Sequence, residues 1–335
     1  MGRKRLRGTW TQLSLEILPV SSQTIASPEE GTAIVFSGEL KPREPVQSDV
    51  HFIRLPSSVQ DNTSAVYQRI ARDNASPSPR VGAASAASNG KVYLVSGRAG
   101  KEFKPIDSTI HEFDGTSWHT VVPADRSPVP QPRSYHVMTA AAGHLFLHAG
   151  CAADGGRYND LWAFDLTTKM WKELANAPGK ERGGTSLIAS RDETKLFRIG
   201  GFDGKQEIGG IIDIYDISQN SWTSINYANG PIARSVAVLT AVLVGERQYL
   251  VYAFGEADPS KIGHEGAGKF LKDTWVFDIE KSDWSELDCS DEHKPSARGW
   301  LGAVACADDT VLIQGGLNED NNRLGDWWLL KLNTT

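Results

Sequence analysis

Six times along the chain a short apolar run ends on a small residue and glycine: Val35-Phe36-Ser37-Gly38, Leu94-Val95-Ser96-Gly97, Leu147-His148-Ala149-Gly150, Phe197-Arg198-Ile199-Gly200-Gly201, Tyr252-Ala253-Phe254-Gly255 and Leu312-Ile313-Gln314-Gly315-Gly316. The final glycines lie 59, 53, 51, 54 and 61 residues apart, a spacing that marks a repeat rather than one or two ordinary cores. Five of them follow an arginine, Arg80, Arg133, Arg182, Arg234 or Arg298, by 17 to 21 residues. Between the two landmarks run alternating stretches such as Arg133-Ser134-Tyr135-His136-Val137-Met138, which read as strands. After the glycine comes a strand ending in aspartate, a turn and a tryptophan, as in Phe164-Asp165 with Trp171, Tyr215-Asp216 with Trp222 and Phe277-Asp278 with Trp284. The second repeat keeps a shortened form, Phe113-Asp114-Gly115-Thr116-Ser117-Trp118.

Each repeat therefore predicts four strands, one propeller blade, and the chain predicts an all-β, six-bladed β-propeller of four-stranded blades over residues 1–335. The sixth repeat ends before its tryptophan strand, whereas Gly8-Thr9-Trp10-Thr11-Gln12-Leu13 supplies such a strand with no blade before it. The N-terminal strand is expected to complete the last blade and close the ring, which leaves no unpaired edge. Residues 1–8 read as a basic, flexible N-terminus. Blade one is the most divergent, with Tyr67 at the tryptophan position and Val20 near the arginine position. The glycine-to-tryptophan spacing is 21 residues in three repeats but 29 in the fifth, so eight extra residues fall between Glu256 and Lys269. A long loop on a regular scaffold is where function tends to sit.

Composition adds exclusions. The formal charge of −6 gives no general attraction to nucleic acid or an anionic membrane. No stretch approaches the ~20 apolar residues of a membrane span, and Leu13 to Val20 is too interrupted for a secretory signal. Cys151, Cys289 and Cys306 are odd in number and form no C-x-x-C pair, so a reducing compartment is expected, the cytoplasm or the nucleus. Gly183-Gly184 has no helix after it, and no phosphate loop, nucleophile elbow or H-E-x-x-H motif occurs, so no nucleotide cofactor is expected. The recurring arginines read as structural, bonding loop carbonyls between blades, and His136 and His148 as core or channel residues.

Glycine doublets followed by tryptophan at this period resemble the kelch repeat. A narrower resemblance is carried by Phe36-Ser37-Gly38-Glu39-Leu40-Lys41-Pro42, Glu181-Arg182-Gly183-Gly184, Phe254-Gly255-Glu256-Ala257-Asp258-Pro259, Gly263-His264-Glu265-Gly266-Ala267-Gly268 and Ala297-Arg298-Gly299-Trp300. These are similar to stretches of the plant specifier proteins, which divert reactive glucosinolate aglucones to nitriles, epithionitriles or thiocyanates, and of kelch relatives in plants and fungi without assigned chemistry. The resemblance implies a ferrous iron held by a glutamate, an aspartate four residues on and a histidine four beyond. The outer two fall on Glu256 and His264, but the middle one is Ser260, a poor replacement for an anionic ligand; Asp258 substitutes if the loop curls. Read without the resemblance, the same segment is a rim turn with glycines that permit tight bends.

Arg98 directly follows a strand-ending glycine, where the other blades carry Glu39, Cys151, Phe202, Glu256 and Leu317, so these six are expected on one face of the ring. The resemblance makes Arg98 a contact for a sulfated leaving group, a task that suits a guanidinium. Arg157 is a further candidate of that type, Glu39 joins the same face, and Tyr135 and Trp300 are expected to line the central mouth with aromatic surface. Two functions follow. In one, the ring binds a small reactive metabolite, with iron as a candidate cofactor, and steers its breakdown or rearrangement as a lyase or isomerase. In the other, a propeller face grips a protein partner without catalysis; the lack of a BTB-like or F-box-like segment leans against that adaptor role.

Overall fold

The structure, a computed structural model, describes residues 6–55, 65–99, 102, 104–124, 128–263, 266–289 and 293–334. The described residues form six four-stranded antiparallel sheets and three two-stranded hairpins. From the axis outwards, blade one is Thr24–Ala26, Thr32–Phe36, Val50–Arg54 and Val66–Ile70. Blade two is Ala84–Ser88, Lys91–Val95, Ile110–Phe113 and Trp118–Val121, and blade three is Val137–Ala141, His144–His148, Leu161–Asp165 and Met170–Leu174. Blade four is Ser186–Ala189, Lys195–Ile199, Ile211–Asp216 and Ser221–Asn226, and blade five is Val238–Val244, Arg247–Ala253, Thr274–Asp278 and Asp283–Glu286. Blade six takes Gly302–Ala307, Thr310–Gln314 and Trp327–Thr334 from the end of the chain and Leu6–Leu13 from its beginning. The innermost strands touch in order around the ring, blade six against blade one.

Burial follows from position in the blade. Second strands are covered on both faces by neighbouring blades, so Thr32–Phe36 and Thr310–Gln314 are buried throughout. Outer strands alternate, as in Asp283–Glu286, where Trp284 alone points inwards. There the tryptophans stack on the aromatic residue before the blade aspartate, with centroids 5.1 Å apart for Trp118 on Phe113, Trp171 on Phe164, Trp222 on Tyr215 and Trp284 on Phe277. Tyr67 takes that place in blade one, opposite Ile53, and Trp10 takes it in blade six, opposite Leu330. The strand carrying Trp10 starts at Leu6. Leu6 to Gly8 is thus paired β-structure rather than the flexible terminus expected for residues 1–8, because Leu332 and Thr334 give it partners.

Backbone bonds seal the ring. Each strand-ending glycine donates its N–H to the carbonyl of the next blade's arginine: Gly38 to Arg80, Gly97 to Arg133, Gly150 to Arg182, Gly201 to Arg234 and Gly255 to Arg298, at 2.9–3.1 Å. Gly316 completes the circle on Val20, which confirms Val20 as the sixth equivalent of the arginines. These glycines have φ between 98° and 108°, and a Cβ on Gly150 would lie 2.6 Å from the His136 Cβ, so only glycine fits. Two residues past each arginine position, Ser22, Gly82, Tyr135, Gly184, Val236 and Trp300 all adopt positive φ. They form a second circle, each N–H bonded to the ring residue of the preceding blade, from Ser22 on the Trp300 carbonyl around to Trp300 on the Val236 carbonyl.

The arginine guanidiniums work within their own blade, not between blades as expected from sequence. Arg133 Nη1 donates to the Ala149 carbonyl, and Arg234 Nη1 and Arg298 Nη1 do the same to Phe254 and Gly315. The link to the next blade comes from the arginine backbone instead. Among the described residues no helix is long and apolar enough to cross a membrane.

Candidate functional site

One face of the ring collects the hairpins that follow the strand-ending glycines. There Ser21 bridges Glu39, Val81 bridges Arg98, Ser134 bridges Cys151, Gly183 bridges Phe202, Ser235 bridges Glu256 and Gly299 bridges Leu317. The six post-glycine residues therefore do share a face. The partner across each hairpin is Pro45, Pro105, Arg157, Glu207, Phe270 or Arg323. Five hairpins need five to seven residues to return, whereas the fifth runs from Glu256 to Phe270, which places the extra eight residues over one sector of the mouth.

Beneath that long hairpin lies a cavity of about 480 Å³. Aromatic surface comes from Tyr135, Phe202 and Trp300, and positive charge from Arg157, Lys205 and Lys261; Cys151, Ser235, Glu256 and Ser260 complete its polar wall. Arg157 lies with its guanidinium carbon 5.2 Å from the centre of the Phe202 ring, and its Nε is buried with no hydrogen-bond partner among the described residues. The cavity thus brings together Tyr135, Arg157, Glu256, Ser260 and Trp300.

Other candidates are engaged elsewhere. Glu39 is buried and accepts from Arg323 Nη2 at 2.8 Å and from the Arg43 backbone N–H at 2.8 Å. Burial raises its pKa despite these partners. Arg98 donates from Nε to the Ser134 hydroxyl and sits 5.4 Å from the Tyr135 ring, behind the aromatic wall rather than in the cavity. Asp258 is exposed. His264 lies outside the described residues. Glu256 accepts from the Gly268 N–H at 2.9 Å, and Ser260 turns its hydroxyl to the Ile262 N–H. Among the described residues no three histidine, cysteine, aspartate or glutamate side chains form a group able to hold a metal. Of the four residues expected around ferrous iron, the described ones near the cavity supply one buried carboxyl, Glu256, and one hydroxyl, Ser260.

Glu207 was not singled out from the sequence. Its Oε1 accepts from the Ser235 hydroxyl at 3.2 Å, while Oε2 is buried without a partner among the described residues. Burial, opposed by the Ser235 bond and reinforced by the charge of Glu256, pushes its carboxyl up to about 8. Burial likewise pushes Glu256 up to about 7. A signal existed: Glu207 stands opposite Phe202 just as Arg157 stands opposite Cys151 and Arg323 opposite Leu317, so aligning the hairpins would have found it.

A carboxyl whose pKa is higher in the folded than in the unfolded chain holds its proton more tightly when folded. It costs nothing below the ordinary value of 4.5 and removes stability as pH rises from there towards 8. Glu207→Gln is therefore expected to leave urea stability little changed at pH 5 and to raise it by about 1–3 kcal/mol at pH 9. An equal effect at both pH values would show that Glu207 is ionised in the folded protein throughout.

Known proteins place this geometry. A family model described as the KLHDC2/KLHL20/DRC7 kelch-repeats domain matches residues 23–255 and 182–335. The chain is 22% identical over 324 residues to N-(sulfonatooxy)prop-2-enimidothioate sulfolyase of Thlaspi arvense, covering 90% of this chain and 89% of that one. It is 37% identical over 86 residues to Rab9 effector protein with kelch motifs of Bos taurus, 25% of this chain and 23% of that one. The solved structure described as "Structure of YjhT" matches with a TM-score of 0.73 over 94% of this chain and 95% of that chain at 15% identity, a likeness of fold alone. Since the family model runs from residue 23 to the end of the chain, across all six of the blades observed, the chain belongs to the kelch-repeat family.

Proposed function

We propose that the chain binds a small organic anion in the mouth cavity and steers its breakdown or rearrangement, in the manner of the specifier proteins. The observation that carries this reading is Arg157 Nε, without a partner among the described residues, at the wall of a cavity of about 480 Å³ beside the aromatic surface of Tyr135, Phe202 and Trp300. That volume falls in the range of small-molecule sites, which pair apolar walls with a few convergent polar groups. A partly buried guanidinium with an unused donor favours an anionic group, and Lys205 and Lys261 add charge of the same sign at the rim. The likeness to a sulfolyase, whose substrate name contains a sulfonatooxy group, supports an anion of sulfate type. Glu256, held protonated up to about pH 7 by burial, supplies a proton donor at the same wall.

Calorimetric titration with benzyl sulfate tests the reading. Binding is expected, and Arg157→Ala should weaken it at least about tenfold, the loss of one charge-assisted contact. Equal affinity of the variant would remove Arg157 from the site. A second reading, a protein-docking face, has its own observation: Ile262, at the tip of the long hairpin, is 68% exposed. Kelch propellers commonly serve protein interaction, and the Rab9 effector relative carries the same motifs. Co-purification of a partner that is lost on shortening 259–266, with no benzyl sulfate bound, would favour it.

A further inference from the structure

The circle of positive-φ residues divides the interior in two. Above it is the mouth cavity, with Tyr135 and Trp300 in its wall. Below it is the central channel, about 430 Å³, whose walls begin at the very next residues, His136 and Leu301. Blades three and six are opposite one another in the ring, yet the Tyr135 and Trp300 rings are 5.2 Å apart at 80°. Side chains from opposite blades come so close only by reaching across the axis. The other four positions of the circle are small enough to allow it: Ser22, Gly82, Gly184 and Val236. The Tyr135 ring already occupies the space over Gly82, where a Cβ would lie 2.7 Å from its carbons.

The two compartments differ chemically. Above, the surface that a ligand meets is aromatic and cationic. Below, alanine methyls alternate with polar groups, and Ser85 Oγ and Thr240 Oγ1 are buried without partners among the described residues.

We infer that Tyr135 and Trp300 form a partition that ends the ligand pocket and sets the length of the ligand it accepts: an anion held at Arg157 whose apolar end stops against the crossed rings. This rests on the proposed function and adds its specificity determinant. The backbone itself supplies the test variants. Tyr135 and Trp300 have φ of 52° and 58°, a region that favours glycine, and blades two and four carry glycine at the equivalent positions. Tyr135→Gly and Trp300→Gly therefore remove a ring without straining the chain.

The experiment is calorimetric titration of linear alkyl sulfates, from methyl to octyl, into the whole chain and into each glycine variant, with folding checked by circular dichroism. In the unmodified protein affinity is expected to rise about fourfold per methylene and to stop rising at the length that reaches the partition. In the glycine variants that limit should move to chains at least two carbons longer, while Arg157→Ala should weaken every length alike. Trp300→Leu serves the same purpose if a glycine variant does not fold. A limit that stays put in the variants overturns the partition and leaves the anion site standing. Failure of the unmodified protein to bind any alkyl sulfate overturns both.

Discussion

Replacing Arg298 with methionine is expected to lower the unfolding free energy by about 3–5 kcal/mol. Arg298 is 1% exposed. Its guanidinium donates to both oxygens of Asp326, at 2.6 and 3.0 Å, to the Gly315 carbonyl at 3.1 Å and to the Ser296 carbonyl at 3.0 Å. Methionine would fill the space of the stem but supply none of these donors, leaving Asp326 with Trp328 Nε1 and its own backbone N–H. Burial alone would raise the Asp326 pKa; the Arg298 bonds and charge hold it below the ordinary carboxylate range. Removing them leaves a half-buried carboxyl that must ionise at a cost or take up a proton. Arg182 is the internal comparison. It donates to the Gly200 and Lys180 carbonyls but forms no ion pair within 4.0 Å among the described residues. Arg182→Met should cost only about 1–2 kcal/mol. Urea denaturation of the two variants side by side checks the difference, and equal losses would mean that the aspartate fork adds nothing.

Trp10→Ala is expected to cost about 3–5 kcal/mol, a loss more usual for the middle of a domain than for position 10 of a chain. The indole is 6% exposed. It packs in the cluster that joins blades five and six, with Val238, Val251, Val311 and Leu330, and meets Phe254 edge-on at 5.8 Å. Truncating it therefore opens a cavity between two blades. Deleting residues 1–13 should have the larger effect, because it strips the edge of Trp327–Thr334 along all eight residues of its pairing. An exposed apolar edge of that length pairs with other chains, so the deleted protein should aggregate on thermal unfolding where Trp10→Ala still refolds.

The ring was legible in the sequence because three residues that perform one task per blade recur. Glycine recurs because a Cβ cannot fit where its N–H meets the next blade, arginine because it ties the turn of its own blade, and tryptophan because it covers the outer strand. Even Val20 and Tyr67, which break the pattern, hold the places it assigns. The partners of those residues were less visible. Asp160, Asp273 and Asp326 each grip a blade arginine and the tryptophan two positions on, so their signal in the chain is Asp-x-Trp.

The mouth was legible as a face but not as a site. Alternation and spacing put Glu39, Arg98 and Glu256 on one rim, and they are there. Which of them faces a ligand depends on contacts across blades: Glu39 is taken by Arg323, 284 residues away, and Arg98 by Ser134. Spacing within one repeat carries no information about such pairs. Arg157 and Arg323 each keep a buried Nε without a partner among the described residues, and only Arg157 lines the mouth cavity; Glu207 came from a hairpin position held by proline in two blades, arginine in two and phenylalanine in another.

Native-state hydrogen exchange of the strand Leu6–Leu13 tests ring closure most directly. If that strand seals blade six, its amides should exchange only through global unfolding, with protection equal to that of His144–His148 in blade three. Exchange at the rate of a fraying terminus, while blade three stays protected, would contradict the closed ring and with it the shared mouth.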